Sequence, residues 1–185
     1  MIRQATPADA PDIAKLIVLA MGPLAAAFIN GTNPNDAIPL FEHFAAIPGN
    51  QYSYKNTLIY VNEGGVQGMI CTYNGANLDV LRQPFLKYIS EKYGFSGLPE
   101  DETQAGEYYI DCLSVFPAMQ GKGIGKQLIA ALIEQGRRNN WPAVGLLVNE
   151  SNPLAQKLYT SLGFEVVGEK KLLGTHNRHM QYKLM

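Results

Sequence analysis

The stretch SVFPAMQGKGIGKQL begins at Ser114 as an apolar run, stops at Pro117, and crowds Gly121, Gly123 and Gly125 into five residues ahead of a helical pattern. Glycines at a strand-to-helix junction let the backbone approach a ligand closely, and the unpaired N–H groups of a first helical turn favour an anion. Main-chain phosphate binding is the chemistry this arrangement suits. No GxxxxGK[ST] string occurs in the chain, so the nucleotide P-loop is excluded. The dinucleotide fingerprint GxGxxG fails as well, because its third glycine, counted from Gly121, falls at Lys126, and no βαβ unit with an acidic ribose partner follows. A turn that merely connects two elements is the other use of such glycines. A second chemical residue is Asp111 in YYIDCLSV, an acid inside a strand pattern, where its type is depleted. Alternation puts Asp111 on one face with Tyr109 and Leu113. It could accept a proton or bind a cation, or be an internally paired or edge carboxylate.

The elements that must position these residues alternate between strand-like and helix-like patterns, which reads as α/β. A first strand covers residues 2 to 5, and Thr6-Pro7 makes an N-cap and N1 pair for a helix through Ile13, Leu16, Ile17 and Ala20. A second helix is expected over 37 to 46. Residues 57 to 61 and 66 to 73 are β-rich runs joined by NEGG, a hairpin signal. Residues 77 to 105 form a long excursion, helical in part through Leu81, Phe85, Tyr88 and Ile89, and suited to a lid or specificity element. The strand of 107 to 115 leads into the glycine turn, and the helix beyond it carries Ile124, Leu128 and Leu132 with Ile129 and Ile133 beside them. A strand over 144 to 148 precedes Ser151-Asn152-Pro153, a helix start whose buried face is expected to be Leu154, Leu158 and Leu162, with Gly163 as its stop. Strands at 164 to 169 and 179 to 184 complete the sheet.

With these elements in order, Gln120-Gly121-Lys122-Gly123-Ile124-Gly125 resembles the Q/R-x-x-G-x-G/A pyrophosphate-binding motif of the GNAT (Gcn5-related N-acetyltransferase) superfamily. Leu113-Ser114-Val115, with Pro117, is similar to that family's cofactor strand. NESNPLAQKLYTSLGF resembles its second signature, with Asn152, Tyr159 and Gly163-Phe164 close in register. The likeness runs from about 107 to 164 and says almost nothing of 22 to 56 or 77 to 105. It implies an α/β (α+β) GNAT fold: a mixed central sheet of about six to seven strands flanked by helices, whose central parallel strands splay to leave a notch for the arm of acetyl-CoA.

The resemblance further implies that the N–H groups from Lys122 to Lys126 hold the pyrophosphate at the positive end of the helix. Lys122 and Lys126 either add charge there or are ordinary solvated lysines. Main-chain groups of Leu113, Ser114 and Val115 hold the pantetheine and polarise the thioester carbonyl by the same implication. Transfer also needs a neutral amine and a proton for the departing thiolate. Tyr159 is the candidate donor, since a phenol titrating near about 10 stays protonated at neutral pH; a core-edge tyrosine is the alternative. Asn152 precedes Pro153 and is a natural N-cap, and by resemblance it also bonds the cofactor arm. Many relatives carry a glutamate five residues before that asparagine, where this chain has Leu147. The base must then be sought elsewhere: Asp111 first, Glu107 on the same face but farther from the notch, His176 and His179 as polar residues of the last strands, and His43 as a surface residue.

Length and composition set the frame. The 185 residues, 46% of them hydrophobic, suit a single domain spanning 1–185. A net charge of −1 gives no general attraction to nucleic acid or to an anionic membrane. The N-terminus lacks a signal-peptide pattern and no segment reaches ~20 apolar residues, from which a cytoplasmic location is expected. Cys71 and Cys112 have neither metal nor CxxC spacing and are expected to be core hydrophobes. The expected function is N-acetyl transfer from acetyl-CoA to a primary amine in a ternary complex without a metal. The acceptor is a small molecule or a peptide N-terminus, and a homodimer contact is possible through the long excursion. A GNAT-fold domain that senses acyl-CoA without turnover is the alternative, kept open by Leu147.

Overall fold

The computed structural model describes residues 1–185 and arranges seven strands in one mixed sheet. In chain order these are β1 (Ile2–Gln4), β2 (Thr57–Asn62), β3 (Gly65–Asn74), β4 (Tyr108–Val115), β5 (Ala143–Asn149), β6 (Glu165–Leu172) and β7 (Thr175–Lys183). Across the sheet the order is β1-β2-β3-β4-β5-β7-β6, and every neighbouring pair is antiparallel except β4 and β5. The expected boundaries of the last two strands were short: β6 and β7 extend toward each other to a two-residue turn at Leu173-Gly174, both with positive φ (47° and 82°). That backbone matches the twist of a tight hairpin.

Six α-helices flank the sheet: α1 (Ala10–Met21), α2 (Pro23–Phe28), α3 (Ile38–Ala46), α4 (Leu78–Tyr93), α5 (Ile124–Arg138) and α6 (Pro153–Ser161). One face of the sheet carries a core of 22 buried residues shared with α1, α2, α3 and α4, including Ile13, Phe41, Phe44 and Phe85. The opposite face packs against α5 through Ile124, Leu128, Ile129, Leu132 and Ile133, the stripe read from the sequence. Thr6-Pro7 opens a short 3-10 turn rather than α1 itself, and the turn is held by a capping box in which the Asp9 carboxylate accepts from the Thr6 N–H at 2.8 Å. Arg3 donates to both Asp9 oxygens at 2.8 Å, tying β1 to that turn. The excursion is one helix, α4, which tolerates Pro84 and buries Phe85 and Ile89, followed by an irregular segment back to β4.

Helix α6 departs from the expectation. Leu154 is 79% exposed, and the side chains packed on the core are Ala155, Tyr159 and Leu162. The expected stripe is one residue out of phase at Leu154 and Leu158 and agrees at Leu162, because the face that is buried is set by the core the helix lies on. No helix of the chain is long and apolar enough to cross a membrane.

Candidate active site

The two parallel strands pair only through Tyr108, Tyr109 and Ile110 on β4 with Val144, Gly145 and Leu146 on β5. Beyond that point they part, and from Asp111 onward β4 keeps β3 on one side while its other edge has no ladder partner. A β-bulge sits at the parting point. Cys71 faces Cys112 and Thr72 faces Ile110, so Asp111 is the extra residue between them. A bulge bends its strand and re-aims a side chain. It also corrects the alternation expected from the sequence, since Leu113 packs with the α5 side while Tyr109 packs on the opposite face beside Tyr73. Asp111 stays with Tyr109.

The end of β4 delivers the chain to the glycine loop. Gly121 and Gly123 have φ of 76° and 77°, in the left-handed region where an L side chain is strained, and Gly123 is the N-cap of α5. Gly125 differs, for it lies inside the helix, and a Cβ there would meet only Leu113 at an ordinary 3.9 Å. Met119 and Gln120 spend their N–H groups on Phe116 and Pro117 carbonyls, and Gln127 bonds Gly123, whereas the six N–H groups from Gly121 to Lys126 have no acceptor within the protein. The Gln120 side chain bonds back to the Val115 carbonyl at 3.0 Å, fixing the loop to the strand end. Lys122 and Lys126 are solvent-exposed on either side. A run of six free donors at the positive end of a 15-residue helix is a fit for a pyrophosphate.

Across the gap, Asn152 uses its side-chain oxygen to cap α6 through the Ala155 N–H at 3.1 Å, which leaves its amide donors free. Tyr159 packs edge-on to Phe164 with ring centroids 5.7 Å apart. Its hydroxyl has no partner in the protein, and burial together with the Cys112 thiol of β4 pushes the phenol up to about 12. It is therefore protonated throughout the neutral range.

On the α1–α4 side of the gap lies a cavity of about 390 Å³. Its polar floor includes Asp111, whose Oδ1 accepts from the Tyr73 hydroxyl at 3.1 Å and from Gln51 at 3.5 Å. Asp111 Oδ2 is buried and has no hydrogen-bond partner. Burial first, then the nearby Glu102 carboxylate, hold the Asp111 carboxyl well above the usual range. Glu102 accepts from the Tyr109 hydroxyl at 3.0 Å, and burial raises it as well. The Cys71 and Cys112 thiols are pushed up by burial too, so neither is a thiolate nucleophile.

The remaining candidates separate. Glu107 is buried in the sheet, where His179 Nε2 at 2.7 Å and Gln181 at 2.6 Å bond its carboxylate, and a Cβ on Gly145 would run into it. That makes it an interior pairing rather than a free base. His179, expected as a polar residue of the strand surface, is only 3% exposed for this reason. His176 and His43 are exposed, the latter stacked on Tyr88. Leu147 lines the same cavity as Asp111. Sequence reasoning missed Glu102, Tyr73 and Gln51, which come from three segments with no motif of their own; only the fold joins them to Asp111.

With this geometry in place, the profile of the Acetyltransferase (GNAT) family matches residues 51–164. The chain belongs to the GNAT family. A solved acetyltransferase structure is 31% identical with a TM-score of 0.84 over 100% of both chains, and an N-acetyltransferase of Staphylococcus aureus Mu50 is 28% identical with a TM-score of 0.86, covering 98% of this chain and 100% of that one. A [ribosomal protein bS18]-alanine N-acetyltransferase of Haemophilus ducreyi is 42% identical over 70 residues, 38% of this chain and 48% of that protein. The chain thus matches about half the length of such curated relatives. The GNAT match takes in Asp111, the glycine loop, Asn152 and Tyr159, and stops at Phe164, before the β6–β7 hairpin that forms one wall of the cavity.

Proposed function

We propose that this GNAT protein, acting as a single domain of residues 1–185 in the cytoplasm, moves an acetyl group from acetyl-CoA to a primary amine by direct attack. The observation that carries this reading is the run of six unpartnered N–H groups from Gly121 to Lys126, set beside the gap between β4 and β5. Acetyl-CoA, when bound, supplies an activated acyl thioester. The loop N–H groups hold its pyrophosphate, with Lys122 and Lys126 adding exposed positive charge, and the Asn152 amide is free to bond the arm. The unpaired edge of β4 at Leu113, Ser114 and Val115 offers main-chain groups to a carbonyl oxygen that gains charge. Asp111, held in its protonatable range by burial, takes the proton that the amine must lose, and Tyr159 gives one to the thiolate that departs.

Two measurements test this. Calorimetry with acetyl-CoA reads the loop directly, and release of free CoA thiol with a panel of amines, N-terminal peptides included, reads turnover. Micromolar binding with amine-dependent thiol release is the expected result. Binding without release by any amine returns the chain to the acyl-CoA sensor reading, and no binding removes both.

A further inference from the structure

The cavity beside Asp111 has a charge pattern that bears on which amine it admits. Two carboxylates from separate segments line it, Asp111 on the β4 bulge and Glu102 on the stretch between α4 and β4. Asp111 Oδ2 is buried without a partner, an acceptor that needs a donor from something absent from the protein. Arg82 is the one cationic side chain in the lining, and it is already engaged: Nη2 bonds Asp79 at 2.6 Å and Asp101 at 2.7 Å, and Nη1 bonds the Pro99 carbonyl at 3.3 Å. The rest of the lining is mainly apolar, with Phe28, Phe85 and Leu86 from the helices and Leu172 and Leu173 from the hairpin tip.

That tip is tied down. Leu173 is held at φ 47°, a costly conformation for a residue with a Cβ, and its N–H bonds the Glu100 carboxylate at 2.7 Å. Lys170 reaches the Thr103 carbonyl at 2.9 Å, and Thr103 anchors to the Gly75 carbonyl at 2.6 Å. The hairpin and the 94–107 segment therefore form one closed wall. A space of about 390 Å³ stands at the small end of ligand pockets, which run from about 300 to 1,000 Å³.

Resting on the acetyltransferase reading, we infer that the acceptor is a compact primary amine with an apolar body and no carboxylate, its ammonium group received between Asp111 and Glu102. A primary ammonium brings three N–H donors, enough for both acids. An α-carboxylate on the same ligand meets this pair of acids and no free cation, so it would be buried as an unpaired charge, which rejects amino acids by charge rather than by shape. Glu102 is on this view a specificity residue that binds the acceptor.

Matched pairs test it on the intact protein: 2-phenylethylamine against phenylalanine, and putrescine against ornithine, each pair differing by the α-carboxylate, with an alanine-first peptide alongside. The expected result is kcat/KM at least tenfold higher for the amine of a pair and for that amine over the peptide. Glu102→Gln raises KM for the amine about tenfold while acetyl-CoA affinity by calorimetry stays within twofold. Equal rates within the pairs, preference for the amino acid or the peptide, no turnover of either amine while acetyl-CoA binds, or an unchanged KM in Glu102→Gln each overturns the inference. No acetyl-CoA binding, or binding with no thiol release by any amine of the wider panel, instead removes the parent reading; turnover of some other panel amine keeps that reading and overturns only this inference, so the two failures are distinct.

Discussion

Tyr159 and Asp111 sit on opposite sides of the β4–β5 gap with opposite assignments, and each can be tried alone. The phenol, at about 12, is a donor at every physiological pH. Tyr159→Phe keeps the ring against Phe164 and removes only the hydroxyl. Its expected effect is a fall in kcat of about 10², with acetyl-CoA affinity by calorimetry within twofold; an unchanged kcat removes Tyr159 from the mechanism. Asp111 carries a stability consequence as well. Its folded-state titration lies above that of the unfolded chain, so in the window between them the native state holds the extra proton, and stability declines as pH rises above about 4. Asp111→Asn removes that cost. Urea denaturation at pH 8 should find the variant about 1–3 kcal/mol more stable, a gap that shrinks toward pH 4, while amine acetylation is largely lost. A residue kept for function at the expense of stability behaves this way.

At the scale of elements, the glycine loop works because two of its three glycines hold left-handed backbone. Neither Gly121 nor Gly123 has a heavy atom within 4 Å of a would-be Cβ, so the requirement there is conformational, not steric. Gly123→Ala is expected to cost about 1–2 kcal/mol in the loop conformation, read as acetyl-CoA binding about tenfold weaker. Gly125→Ala, inside α5 and in normal helical space, should raise the midpoint of thermal unfolding, since alanine outranks glycine in a helix by about 1 kcal/mol. Equal losses of affinity from both substitutions would contradict the distinction. The bulge on β4 is the other working element. It lies where the β4–β5 ladder ends and sets Asp111 in the cavity lining, so one irregularity bears on both the gap and the proposed base.

Across the whole molecule, the cavity beside Asp111 and the larger core share a wall. Phe85 of α4 is 1% exposed, and its ring meets Phe28, Phe41, Phe44 and Tyr52 at centroid distances of 4.8 to 5.7 Å while also lining the cavity. Phe85→Ala is expected to destabilise the fold by about 3–5 kcal/mol, measured by denaturant titration, and to raise the acceptor KM in whatever fraction stays folded. The cavity is thus supported by the same aromatic cluster that packs α4 against α2, α3 and the loop at Tyr52. On the other side, the hairpin tip closes the cavity from a part of the chain that lies beyond the family match.

Sequence alone determined the features whose physics is local. The glycine loop, the α5 stripe, the Asn152-Pro153 cap and the NEGG hairpin all depend on residues within a few positions of one another, so type and spacing sufficed to read them and to suggest a phosphate-binding loop, which the GNAT resemblance made a pyrophosphate candidate. Even there the phase of α6 was misread, because which of its faces is buried depends on the sheet beneath it. Tertiary structure decided what depends on pairing across long separations. The bulge at Asp111 exists only against β3, the burial of His179 only against Glu107, 72 positions away. Glu102, Tyr73 and Gln51 become a site only when three segments without motifs converge on one unpartnered carboxylate oxygen. The proposed acceptor recognition rests on that convergence, and a strand pattern carries no record of which distant side chain will stand opposite it.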